Sequence, residues 1–264
     1  DVQGQIRGDG GTLVDFNNDG VLDILSHIGT VHEIQVALGL EDGEFGTPMA
    51  YQAQTVTDAI AGDIDNDGNL DIVATHNQDN VSVRLGLGDG TFQEPAEFPT
   101  GDWPKAIALG DLNEDGNLDV LAALGRGDIS MLLGRGDGSF DAAVPLEVGS
   151  SGHNVMARDL NADGHLDVLN LNWSSSMVHI LLGRGDGTFL PPGWVSTGPE
   201  SFPVKFILGD VDSDGALDIL TANSGGNGDV RHDISIIMGR GDGTFGDIAY
   251  LDPGREPKNL ALAD

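Results

Sequence analysis

Apolar residues along this chain fall in short runs of four to six, each closed by glycine, aspartate or asparagine. One stretch shows the pattern. Ala106-Ile107-Ala108-Leu109-Gly110 is followed by a polar segment, then Leu118-Asp119-Val120-Leu121-Ala122-Ala123, then Ile129-Ser130-Met131-Leu132-Leu133. Runs of this length between turn residues predict strands, because a helix would need apolar positions at intervals of three and four over ten residues or more. A weaker fourth strand is expected around residues 143–148, after Phe140. The same sequence of runs recurs along the chain, so it predicts an all-β protein of repeated four-stranded antiparallel sheets, the size of a propeller blade.

The polar segment between the first two runs carries the chemistry. Five copies of D-x-[DN]-x-D-G-x-L-D occur: Asp15, Asn17, Asp19, Asp23; Asp63, Asp65, Asp67, Asp71; Asp111, Asn113, Asp115, Asp119; Asp159, Asn161, Asp163, Asp167; and Asp210, Asp212, Asp214, Asp218. Their first aspartates are 48, 48, 48 and 51 residues apart, and Asp264 lies 54 beyond the fifth. Oxygen ligands at positions 1, 3 and 5 converge only where the loop curls tightly, and glycine at position 6 permits the bend. Position 7 then offers a backbone carbonyl, from Val21, Asn69, Asn117, His165 or Ala216. A closing aspartate at position 9 completes an oxygen cage for a hard cation. Calcium suits it, with about five ions per chain. Zinc would call for Cys or His at the ligand positions, and magnesium keeps more of its water. Strands in place of helices, and Asp at position 9 in place of Glu at 12, set the loop apart from an EF-hand.

Charge agrees with this chemistry. The chain has 43 acidic and 12 basic residues among 264, a formal charge of −31, and 17 of the acids are candidate ligands. Five divalent ions would still leave about −21, which argues against nucleic acid or an anionic membrane as partner. No apolar run is long enough to cross a membrane. Cysteine is absent, so metal takes the stapling role that disulfides would otherwise have, and a secreted or cell-surface bacterial protein is the expected setting. Asp1-Val2-Gln3-Gly4 has no signal-peptide character, so any such signal has been removed.

A second motif, G-x-G-D-G-[TS]-F, recurs at residues 86–92, 134–140, 183–189 and 239–245, with a variant at 39–45 carrying Glu41 and Glu44. Its glycines are expected at positive φ in a tight turn, and its phenylalanine as a plug between neighbouring sheets. The turn creates Arg-Gly-Asp at Arg135, Arg184 and Arg240, and further copies begin at Arg7 and Arg126. A tripeptide that a structural turn generates is read as part of the turn.

With both motifs in place, as in IALGDLNEDGNLDVLAALGRGDISMLLGRGDGSF from Ile107 to Phe140, the chain resembles the FG-GAP or VCBS repeats of integrin alpha-chain propellers and many bacterial extracellular proteins. The resemblance covers essentially the whole chain. It implies a single calcium-stabilised β-propeller domain over residues 1–264, with the loop residues above at the family's metal positions. Residues 1–15 and 250–264 share one phase, so the chain holds five repeats and the start of a further one. A closed five-bladed ring, a piece of a larger ring and an assembly of chains all remain open.

Antiparallel order places the end of the second strand and the start of the first on the face opposite the acidic loops. His27, His76, Trp103, His153, Asn172, Trp173 and Asn223 fall there, with Lys105, Lys258 and the loop from Ser224 to Asp233 that contains Arg231 and His232. The repeats diverge on this face. Trp and Asn suit a sugar, because a ring stacks on its apolar face while amides bind its hydroxyls. The expected function is a binding or adhesion module with a glycan or protein ligand on that face. Two alternatives stand beside it: a polysaccharide-active enzyme of lyase or dehydratase type, with histidines converging on the axis, and a purely structural or engineered repeat.

Overall fold

The computed structural model describes residues 10–28, 32–126, 128–149, 152–224, 233–254 and 257–262. Expectations on Arg7, Arg231, His232 and Asp264 lie outside them. Twenty strands form five four-stranded sheets, each a meander of sequential antiparallel hairpins. Sheet one is β1 (Gly10–Val14), β2 (Asp23–Ile28), β3 (Glu33–Ala37) and β4 (Met49–Gln52). Sheet two is β5 (Val56–Gly62), β6 (Asp71–His76), β7 (Asn80–Arg84) and β8 (Ala96–Pro99). Sheet three is β9 (Pro104–Gly110), β10 (Asp119–Leu124), β11 (Ile129–Leu132) and β12 (Val144–Leu146). Sheet four is β13 (Asn154–Arg158), β14 (Asp167–Asn172), β15 (Met177–Leu181) and β16 (Gly193–Ser196). Sheet five is β17 (Pro203–Gly209), β18 (Asp218–Asn223), β19 (Ile234–Gly239) and β20 (Phe245–Leu251). No helix occurs among the described residues.

The chain divides into two compact units, the first built chiefly on sheets one to three and the second on sheets four and five. In the first unit the opening strands lie side by side, with β5 touching β1 on one side and β9 on the other. Second strands carry the core: β6, β10, β14 and β18 are buried along their whole length, which explains their near-continuous apolar runs. Fourth strands such as β8 and β12 are mostly exposed, so their sequence signal is weak.

Phenylalanines fill the space between sheets. Phe92 meets Phe16 and Tyr51 edge-on, at 5.1 and 5.4 Å between centroids, within a cluster drawn from sheets one and two. Phe140 meets Phe98 at 5.1 Å between sheets two and three. In the second unit, Leu169, Leu171, Phe206, Ile219 and Ile237 join sheets four and five. Apolar area removed from water at these junctions, at about 25 cal/mol per Å², is what drives one sheet onto the next.

The turn glycines have different reasons to be glycine. The second and third are at positive φ, as expected: Gly88 and Gly90 at 75° and 81°, Gly136 and Gly138 at 68° and 81°. The first does not share that reason. A Cβ on Gly86 would overlap the carbonyl oxygen of Leu70, and one on Gly134 that of Leu118. Close approach of two backbones is the constraint there.

The acidic loops and the opposite end of the sheets

Each acidic loop joins the first strand of its sheet to the second, and its backbone wraps around the position-1 aspartate. Asp63 accepts the N–H groups of Asp67 and Gly68 at 3.1 and 3.0 Å; Asp15, Asp111 and Asp210 do the same in their loops. Position 5 caps position 7: the N–H of Val21, Asn69, Asn117, His165 and Ala216 donates to Asp19, Asp67, Asp115, Asp163 and Asp214 at 2.7 to 2.9 Å. Position 4 takes the left-handed conformation in every copy, with φ of 56°, 58°, 58°, 58° and 63° at Asn18, Asn66, Glu114, Ala162 and Ser213. These bonds curl the chain, and in loops two and five they bring oxygens of positions 1, 3 and 9 together.

Position 9 does more than the motif suggests. Asp23, Asp71, Asp119, Asp167 and Asp218 are almost wholly buried. One oxygen of each accepts the N–H of the first turn glycine, Gly39, Gly86, Gly134, Gly183 or Gly239, at 2.7 to 2.8 Å. In four of them the other oxygen accepts the N–H of the residue after position 1: Phe16, Ile64, Leu160 and Val211. The residue therefore latches the acidic loop to the glycine turn of the same sheet, and its remaining lone pairs stay available to a cation.

Four of the loop carboxylates are disfavoured in their charged form by the protein alone. Burial pushes Asp71 up to about 6 despite its two backbone hydrogen bonds. Burial also raises Asp167, and burial followed by the neighbouring carboxylate raises Asp65 and Asp212. Ligand oxygens of Asp63, Asp65 and Asp71, and of Asp210, Asp212 and Asp218, lie within 4.8 Å of one another. In loops one, three and four Asn17, Asn113 and Asn161 supply an amide oxygen at position 3 in place of a carboxylate. An all-oxygen donor set closed by a buried carboxylate, whose charged form burial disfavours at Asp71 and Asp167, fits a hard divalent cation. Asp67 and Asp214 stand outside these two triads, turned to their own backbone.

At the other end of the sheets the seven candidate recognition residues divide into two kinds. His27, His76, Asn172 and Asn223 are buried. The Asn172 side chain accepts from Ser174 and Ser175 and holds the turn that follows it, and that of Asn223 donates to Asp233 and Ser235, tying β18 to β19. His76 Nε2 is 2.7 Å from Ser82 Oγ. This pair lines a cavity of about 230 Å³ with Gln54, Arg84 and Glu97, but burial lowers His76 to about 4 and no carboxylate bonds its Nδ1 among the described residues. Such a ring is a weak base, and the pair is a structural contact.

Trp103, His153 and Trp173 are exposed. In the second unit Trp173 stands between His153 and Phe202, at 6.1 and 5.1 Å between centroids. In the first, the Lys105 ammonium sits 3.9 Å from the Trp103 ring centroid and occupies one face of it. The phase of the repeat places Lys105 on this face with Trp103, whereas Phe202 is not singled out on pattern alone. A signal existed: Trp103-Pro104 and Phe202-Pro203 are 99 residues apart, the same interval as Asp111 and Asp210, and both aromatics have positive φ, at 60° and 47°.

The profile of the FG-GAP-like repeat matches this chain four times, at residues 15–74, 63–122, 111–170 and 159–221. No curated protein matches it by sequence. Among solved structures, BBS1N, crystallised in complex with ARL6DN, is similar with a TM-score of 0.63 at 8% identity, over 94% of this chain and 69% of that one. A protein from Lactobacillus plantarum gives 0.63 at 17% identity, over 89% and 69%. The Vibrio cholerae biofilm matrix protein Bap1 gives 0.54 at 16% identity, over 90% of this chain and 38% of that one. At such identities the likeness is one of fold.

Proposed function

The chain belongs to the FG-GAP-like repeat family, and from that premise we propose that it is a calcium-stabilised β-propeller acting outside the cell as a binding module. The observation that carries the calcium reading is the five-fold recurrence of one loop geometry with a buried aspartate at its end. A reaction centre would be expected once, whereas a staple is expected in every repeat. The extracellular setting follows from millimolar calcium there and from where such repeats are typically found. Leu262 supports reading residues 250–264 as the start of a further repeat: it packs on Gly209 as Leu109 packs on Gly62, and both leucines stand two residues before the aspartate of their own repeat.

The ligand would bind at the end of the sheets away from the acidic loops, on the exposed ring of Trp173 beside His153 and Phe202. A flat, half-exposed aromatic with polar neighbours suits a glycan, and it equally suits an apolar protein side chain. Trp103 is the weaker candidate, since Lys105 covers one ring face. Binding to an array of polysaccharides and to extracellular matrix proteins tests this. Trp173→Ala is expected to weaken the interaction at least about tenfold while the melting temperature stays within a few degrees, because a residue 38% exposed contributes little to the core. Undiminished binding by the variant would place the recognition site elsewhere.

A further inference from the structure

A side-chain link joins the tip of one acidic loop to the next, and it uses the same two positions each time. Asn18 Nδ2 donates to Asn69 Oδ1 at 3.4 Å, and Asn66 Nδ2 to Asn117 Oδ1 at 2.8 Å, both in the first unit. In the second unit Glu114 and His165 form the corresponding hydrogen-bonded pair. Each link runs from position 4 of one loop to position 7 of the following one. Between loops four and five the same positions are Ala162 and Ala216, two methyl-bearing residues that can form no such bond.

The second glycine of each G-x-G-D-G turn seats the link. A Cβ on Gly136 would overlap both Asn117 and Asn66; one on Gly88 would overlap Asn69, and one on Gly185 both His165 and Glu114. At Gly241, beside Ala216, the space is open, with the alanine Cβ 3.7 Å away. The link also reaches the candidate ligands. Position 4 lies between ligand positions 3 and 5, and position 7 supplies the carbonyl. In loop two the Asn69 amide, which accepts from Asn18, donates in turn to Asp67 Oδ2 at 2.9 Å. A continuous chain, Asn18 to Asn69 to Asp67, therefore connects one loop to a carboxylate of the next.

We propose that the position-4 and position-7 side chains are positioning residues that couple neighbouring metal sites, so that the linked loops load cooperatively and the fifth loads independently. This rests on the calcium reading above. A cation that fixes one loop also fixes its position-4 side chain, which holds position 7 of the next loop where its carbonyl is needed. The second ion then meets a loop already ordered and loses less conformational freedom in binding, which is positive coupling.

Calcium titration of the chelator-stripped full chain by isothermal calorimetry tests this, with Asn18→Ala/Asn66→Ala and Ala162→Asn/Ala216→Asn as variants. Neither position 4 nor the position-7 side chain is itself a candidate ligand, so the number of ions bound should be unchanged in both. The wild-type chain is expected to bind in a steep phase followed or preceded by one independent ion, with each linked site tightened about fivefold by its neighbour. The first variant should lose that tightening at the two severed junctions, and the second should bring the fifth ion into the steep phase. A link that only stiffens the loops would lower the melting temperature without changing steepness, and isotherms of wild-type shape in both variants would overturn the proposal. Absence of calcium binding by the wild-type chain would overturn the calcium reading itself, and the coupling with it.

Discussion

At the scale of residues, the same side chain answers to two demands in several places. The position-9 aspartate is a candidate ligand and also a buried latch, and the motif revealed only the first role, since hydrogen bonding to Gly86 or Gly134 across 15 residues leaves no trace in local spacing. Gly86→Ala is expected to cost about 2 kcal/mol or more in urea denaturation, because the new methyl would meet the Leu70 carbonyl and force the two backbones apart. A loss below about 0.5 kcal/mol would show that this approach is not constrained.

The histidines make a similar point. Their phase in the repeat placed His27 and His76 at the correct end of the sheet, but alternation along a strand buried on both faces does not say whether its last residue faces water. For His76 this has a pH consequence. Its folded pKa of about 4 lies below the usual 6.5, so between those values the unfolded chain binds the proton and the folded chain does not. Stability is therefore lost as pH falls through that window, by up to about 3 kcal/mol. Asp71, raised to about 6, acts in the opposite sense in metal-free protein, gaining stability as pH falls toward 3.8. Comparing His76→Asn with wild type at pH 7 and pH 5 cancels Asp71. The variant, which carries the residue of Asn172 and Asn223 at that position, should lose less melting temperature on acidification, and an equal loss would contradict the burial argument.

At the scale of elements, strand order was legible because each repeat punctuates its strands with the same acidic loop and glycine turn. Fourth strands were the faintest, and β12 has only three residues, since an edge strand exposed on one side needs little apolar character. The packing of Leu262 on Gly209 could not be read from spacing alone, though the phase of residues 250–264 pointed to it. Removing residues 250–264 is expected to shorten the last strand of sheet five by Tyr250 and Leu251 and to uncover the end of β17 where Leu262 packs on Gly209, raising the apparent mass in light scattering or lowering solubility. A monodisperse variant as stable as the parent would show that the segment is dispensable.

At the scale of the whole molecule, a formal charge of −31 would repel itself in any compact form, and the acidic loops concentrate much of it at one end of each sheet. Repeat number and sheet composition followed from the sequence because periodicity transmits one loop five times. At the opposite end of the sheets the repeats diverge, and there burial of His27, His76, Asn172 and Asn223 and the contact of Trp173 with Phe202 could not be read from the sequence. The account depends above all on the loops being metal sites. Scanning calorimetry on chelator-stripped chain, with and without millimolar calcium and with elemental analysis of the reloaded protein, is the direct test. Binding to the folded state alone adds about 2.7 kcal/mol per site at 100 times Kd. Several such sites predict a melting temperature raised by about 10 °C or more and about five calcium ions per chain; an unchanged melting temperature with no bound metal would contradict it.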